Sequence, residues 1–220
     1  MDSGNQKNPP VNVTRRAFVI GDSHIRTDRN ADYEKRLREL GYVPFLLPNG
    51  GASWHGLFDE VRRVCKEASR EDTVIILGGS NDVRQNVWTS PTTLPLDSIQ
   101  KIIAEANTCK GKVLIGAPPP SACSGKTSNK NAPDYKKWCP RREDDPACVH
   151  ERLYQKKANL LYQYMIRAAR ILNCQRVTIV DMIGPITCDD TNFRSLFDNN
   201  DIHFRQNFAE MLVERVLSLL

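Results

Sequence analysis

The chain has 220 residues, 40% of them hydrophobic and 26% charged, and a net charge of +5. That length holds one large domain with a full core, and the composition is that of an ordinary soluble globular protein, not a fibrous or disordered one. No apolar run approaches the roughly 20 residues of a membrane span, and the mild positive charge is compatible with nucleic acid without pointing to it.

Residues 1–15 lack periodicity, contain Pro9-Pro10, and read as a flexible N-terminal arm. The first seventeen residues lack the apolar core of a secretory signal, so the chain reads as intracellular and cytoplasmic. Residues 16–220 read as a single domain with an insertion at about 118–150.

The first strand is expected at about 16–21, where Phe18-Val19-Ile20 run straight into Gly21-Asp22-Ser23. Tyr33, Leu37 and Leu40 have helical spacing, and Gly41 follows as a stop. Val43 to Leu47 is a short second strand, with Pro44 near its start, and Pro48-Asn49-Gly50-Gly51 is a loop. Trp54, Leu57, Phe58, Val61, Cys65 and Ala68 mark one face of a helix. Thr73-Val74-Ile75-Ile76-Leu77 reads as a strand buried on both faces, closed by Gly78-Gly79-Ser80-Asn81-Asp82. After a long loop, Ile99, Ile102, Ile103 and Ala106 trace a helix, and Lys112 to Ala117 the fourth strand. Tyr154, Ala158, Leu161, Met165 and Leu172 mark a long helix, Val177 to Val180 the fifth strand, and Phe208, Leu212, Val216 and Leu219 the core face of a final helix.

Strands alternating with helices imply βαβ units with right-handed crossovers. The expected architecture is an α/β three-layer sandwich: a five-stranded parallel sheet in the order 2-1-3-4-5, with helices on both faces. Ligands bind such sheets at the carboxyl ends of the strands, at the switch point between strands one and three. Seven cysteines is an odd number, and Cys65, Cys109 and Cys174, in or beside helices, are read as buried free thiols of a reducing compartment.

Ester hydrolysis at a serine needs an activated hydroxyl, a base within reach, and donors aimed at the developing oxyanion. Ser23 offers a hydroxyl after strand one, and Asp22 or Ser23 could equally cap a turn or helix beginning there. Gly51 lies after strand two, as a close-approach glycine or a simple turn. Asn81 brings an amide after strand three, or makes an Asx-turn. His203, between Ile202 and Phe204, is a candidate base or a half-buried structural histidine. His24, His55 and His150 read as surface or structural residues.

From Phe18 to the final helix, this combination resembles the SGNH (GDSL-like) hydrolase superfamily. Gly21-Asp22-Ser23 resembles its first block, Asn49-Gly50-Gly51-Ala52-Ser53 the second, Gly79-Ser80-Asn81-Asp82 the third, and Asp201-Ile202-His203-Phe204 part of the last. The resemblance implies a serine esterase with Ser23 as nucleophile, His203 as base, an oxyanion hole of Ser23, Gly51 and Asn81, a small ester substrate and no cofactor. The chain departs from the family at Asn200, which stands where an Asp usually precedes the histidine by three residues. Asn200 could orient the ring weakly but would not stabilise an imidazolium as an anion does. Three outcomes stay open: a Ser-His dyad of modest turnover, a carboxylate shifted to Asp198 or Asp201, or a silent relative. Phe193 to Phe197, running into the last block, is loosely similar to retrotransposon-encoded esterase domains. The chain is also loosely similar to the SGNH-like RNA-binding domain of Oskar, which lacks the serine and histidine kept here.

The insertion opens on Pro118-Pro119-Pro120 and carries Cys123, Cys139, Cys148 and His150. Those four could form a zinc site, but no Cys-x2-Cys pair is present; a Cys–Cys link and free thiols are the alternatives. Lys136, Lys137, Arg141 and Arg142, interleaved with Tyr135 and Trp138, suit RNA, while Glu143, Asp144 and Asp145 suit a merely solvated loop. The competing function is therefore an SGNH-fold module that binds RNA or a protein partner through this insertion.

Overall fold

The structure is a computed structural model that describes residues 14–25, 32–83, 95–119, 149–182 and 206–220. In chain order the elements are β1 (Arg16–Gly21), a short 3-10 turn (Ser23–Ile25), α1 (Tyr33–Glu39), β2 (Val43–Pro48), α2 (Trp54–Glu67), β3 (Thr73–Leu77), α3 (Leu96–Ala106), β4 (Lys112–Gly116), α4 (Val149–Ile171), β5 (Val177–Val180) and α5 (Gln206–Leu217). All strand pairings are parallel, in the order β2-β1-β3-β4-β5. This is the α/β three-layer arrangement expected from the alternation of elements.

Side-chain alternation along the strands divides the core in two. Phe18, Ile20, Val74 and Ile76 pack with α2, α3 and α4 on one face of the sheet. Val19, Ile75 and Leu114 pack with α1 and α5 on the other. Every residue of β3 is buried, Thr73 included, as the apolar run from Val74 to Leu77 requires. The edge strand β2 is looser, with Val43 39% and Phe45 42% exposed, and an edge is where Pro44 and Pro48 are tolerated.

Local chemistry sets the helix ends. The Asp32 carboxylate accepts the Lys35 N–H at the start of α1, and Gly41, at φ +80°, follows its last turn. Ser53 caps α2 by accepting the Gly56 N–H, and Trp54, Leu57, Val61, Val64 and Cys65 form its buried stripe. Leu40 and Leu219, assigned to core faces by spacing, lie just past the ends of α1 and α5 and are 43% and 40% exposed. There the helical period no longer governs direction.

At the amino-terminal end of the sheet, the buried Asp72 accepts the Arg16 guanidinium at 2.7 Å and the Ser69 N–H at 2.7 Å. Burial alone would raise this carboxyl, but Arg16 and the Ser69 N–H and hydroxyl hold it down at about 2.

One expectation is corrected. Cys65 and Cys109 are not free thiols: they form a disulfide between α2 and the segment joining α3 to β4. Both side chains converge on the same buried cluster, so helix packing brings them together across 44 residues. Cys174 is a free, half-buried thiol. Among the described residues, no helix is long and apolar enough to cross a membrane.

Candidate active site

The strand register sets the rim. Gly21 pairs with Pro48 on one side and with Leu77 on the other, so β1, β2 and β3 end at one level. The Asp22 N–H donates to Leu77 O at 3.2 Å, and the Asn49 N–H to Gly21 O at 2.8 Å. A Cβ on Gly21 would lie 2.3 Å from Leu77 O, so this close approach requires glycine.

In the first loop, Asp22 Oδ1 accepts the His24 N–H at 3.0 Å, an Asx-turn that starts the 3-10 turn and sets Ser23 at its head, half-buried. Of the two capping candidates in this loop, Asp22 is therefore the one that caps the 3-10 turn. In the second loop, the Ala52 N–H donates to Asn49 O at 3.0 Å, with Gly51 at φ +77° in the third position. That is the pattern of a type II turn, which favours glycine there. Gly51 is exposed, and its N–H takes part in no hydrogen bond among the described residues.

The third loop ties the other two together. Ser80 Oγ donates to Asp22 Oδ2 at 2.5 Å. Asn81 Nδ2 donates to Ala52 O at 3.0 Å and lies 3.5 Å from Asp22 Oδ2, a long contact. Asp82 Oδ2 accepts the Trp54 N–H, the first of α2, at 2.8 Å. Gly79, at φ +89°, lies against the Trp54 indole, whose buried N–H has no partner among the described residues.

Asp22, Ser80 and Asp82 are all buried. Burial pushes the Asp82 carboxyl up to about 6; the Trp54 N–H and its own N–H pull it back, and the neighbouring Asp22 pushes it further up. The adjoining pocket is lined by Asp22, His24 and Tyr33 and by the apolar side chains of Leu77, Met182 and Leu212. His24 therefore faces the interior between the sheet and α5, whereas His55 is exposed on α2.

Ser23, Gly51 and Asn81 thus follow β1, β2 and β3 at a common rim, on adjacent loops. His203, Asn200, Asp198 and Asp201 lie outside the described residues, as do Cys123, Cys139, Cys148, Lys136, Lys137, Arg141 and Arg142. His150 falls in the first turn of α4. The motif reading missed the bracing carboxylates. A carboxylate near the start of a helix in space is a signal for such a brace, but it becomes visible only once β2 and β3 are placed beside β1.

No protein-family model matches the chain, and no curated protein matches it by sequence. Solved structures do match. A member of the lipolytic protein G-D-S-L family from Veillonella parvula is 14% identical with a TM-score of 0.56, over 94% of this chain and 98% of that one. An inhibitor-bound aryl esterase from M. smegmatis is 16% identical with a TM-score of 0.59, over 94% of this chain and 100% of that one. The acetylxylan esterase Axe2 from Geobacillus stearothermophilus is 15% identical with a TM-score of 0.56, over 93% of each chain. Over nearly its whole length, this chain has the fold of the GDSL-type (SGNH) esterases and acylhydrolases.

Proposed function

We propose that the protein is a serine ester hydrolase of the SGNH type. The observation that carries this reading is the meeting of Ser23, Gly51 and Asn81 on adjacent loops, with the Asn81 amide bonded to the carbonyl next to Gly51. Its fold neighbours include an aryl esterase and an acetylxylan esterase, which adds weight.

In this reading the Ser23 hydroxyl attacks an ester carbonyl and passes its proton to His203. The carbonyl oxygen becomes an oxyanion, held by the Ser23 and Gly51 N–H groups and the Asn81 amide. A primary amide carries two N–H bonds. One of those on Asn81 is engaged by Ala52 O, which fixes the side chain; the other meets Asp22 Oδ2 only at a long 3.5 Å, a weak contact that the oxyanion is proposed to displace. As the tetrahedral adduct collapses, the alcohol leaves with the proton from His203. Water then attacks the acyl-serine by the same route, and the carboxylic acid is released. Asn200 is proposed to orient the imidazole weakly; without an anion in that place, turnover is modest.

The test is covalent labelling with a fluorophosphonate probe, with the modified residue mapped, together with hydrolysis of a short-chain aryl ester. The expected label is on Ser23, and Ser23→Ala lowers turnover by about 10³-fold or more without loss of fold. Undiminished turnover in Ser23→Ala, or a label elsewhere, ends the proposal.

A further inference from the structure

Three loops meet at the rim, following β1, β2 and β3. The turn bearing Gly51 is two residues of glycine between Asn49 and Ala52. Its own hydrogen bond, Ala52 N–H to Asn49 O, fixes its curvature but not its place against the neighbouring loops. An oxyanion donor displaced by about 1 Å loses much of its effect. Something must therefore hold the turn in position.

Upstream, the Asn49 N–H is anchored on Gly21 O at the end of β1. Downstream, two bonds run in opposite senses to the third loop. Ala52 O accepts from the Asn81 amide at 3.0 Å, and the Trp54 N–H donates to Asp82 Oδ2 at 2.8 Å. Asn81 thus takes hold of the second loop by donating, and Asp82 by accepting. Asp22 closes the set, accepting from Ser80 beside the nucleophile loop.

Asp82 is 7% exposed, so it meets the helix with little competition from water. Its partner is the first N–H of α2, one of the orphan donors of a helix start, where a carboxylate is favoured. The Ser53 hydroxyl takes another of those donors, on Gly56, so the two caps divide the start of α2 between a local residue and a residue 28 positions away.

Resting on the esterase reading above, we infer that Asp82 is a positioning residue for the oxyanion hole: by holding the Trp54 N–H it fixes the Gly51 turn relative to Asn81. It acts through the start of α2 and touches no reacting atom. What the role requires is an acceptor at Oδ2, and a neutral amide oxygen supplies one.

The test compares Asp82→Asn, which keeps an acceptor, with Asp82→Ala, which does not, in the full chain at pH 8. The expected kcat of Asp82→Ala on a short-chain aryl ester is about 10- to 100-fold below wild type, with KM changed far less. Asp82→Asn is expected to restore kcat to within a few fold. Independently of turnover, hydrogen exchange of the Trp54 amide is expected to be about tenfold faster in Asp82→Ala and near wild type in Asp82→Asn. An unchanged kcat in Asp82→Ala, or Asp82→Asn as impaired as Asp82→Ala, overturns the inference. So does Trp54 exchange that is the same in all three proteins, a result that stands even if Asp82→Ala folds poorly, because Asp82→Asn alone must then retain protection. No turnover in the wild type overturns the esterase reading, and the positioning role falls with it. Turnover that is normal but indifferent to Asp82 removes only the inference.

Discussion

Gly79 and Gly51 both have positive φ, at +89° and +77°, yet their surroundings predict different sensitivities. A side chain in the left-handed region costs about 1–2 kcal/mol wherever it sits. At Gly51 a Cβ would meet nothing within 4 Å, so that backbone cost is the whole effect. At Gly79 the Cβ would lie 2.2 Å from the Trp54 Nε1 and 3.0 Å from Pro118, inside a packed cluster. The indole is completely buried and has no room to retreat. Overpacking adds a further 1–3 kcal/mol or so. Gly79→Ala is therefore expected to lose roughly 3 kcal/mol or more in urea denaturation, against about 1 kcal/mol for Gly51→Ala. Equal losses in the two variants would show that the Trp54 ring does not press on Gly79. Ser23, Gly51 and Asn81 were legible as single letters because each closely follows an apolar run. Asp82 was not, because its partner is a backbone N–H on another element, and nothing in Asn81-Asp82 distinguishes a brace from a solvated carboxylate.

The elements and their order in the sheet were readable from burial pattern and alternation, whereas a single side-chain link between two elements was not. Thr73 to Leu77 announces a central strand, because only such a strand tolerates five consecutive residues without an exposed face. The stripe from Trp54 to Cys65 likewise follows from period alone. The Cys65–Cys109 bond has no such local signature. It exists because α2 packs beside α3, which lays the segment after α3 against the last turns of α2. Closing a loop of that length, with the cysteines 44 residues apart, restricts the unfolded chain by about 4 kcal/mol in the chain-entropy account. The expected outcome is a clear fall in the urea midpoint when the protein is fully reduced, and a smaller fall in Cys65→Ala/Cys109→Ala. Titration of the denatured, unreduced chain should find at least two fewer thiols than after reduction. Equal thiol counts before and after reduction would remove the disulfide from the native protein.

At the scale of the whole molecule, two buried carboxylates stand at opposite ends of one sheet and respond oppositely to acid. Asp72 precedes β3 and is held at about 2, below its ordinary 3.8, by Arg16 and Ser69 against the cost of burial. Its contribution to stability is fully present above about pH 4 and is lost as pH falls toward 2. Asp82 follows β3 and is raised to about 6 by burial and by Asp22, despite the Trp54 N–H. The native state therefore takes up its proton before the unfolded chain does, and stability gains as pH falls from about 7 to 4. Glu214, lowered by its exposed pairing with Arg36, acts in the same sense as Asp72, but weakly, because water screens it. The growing positive charge on acidification opposes the Asp82 gain, so the informative quantity is the difference between wild type and variant at each pH. Relative to Asp82→Asn, which cannot take up that proton, the wild-type melting temperature is expected to rise between pH 7 and about 4.5. Relative to Asp72→Asn, it is expected to fall below pH 4. In the esterase reading proposed above, the histidine base acts through its neutral imidazole, which favours the alkaline side. Hydrolysis and stability are thus expected to have separate optima, activity on the alkaline side and stability on the acid side. A melting curve against pH that is parallel in wild type and Asp82→Asn from pH 8 to 4.5 would show that Asp82 does not titrate there, and the separation of optima would lose its cause.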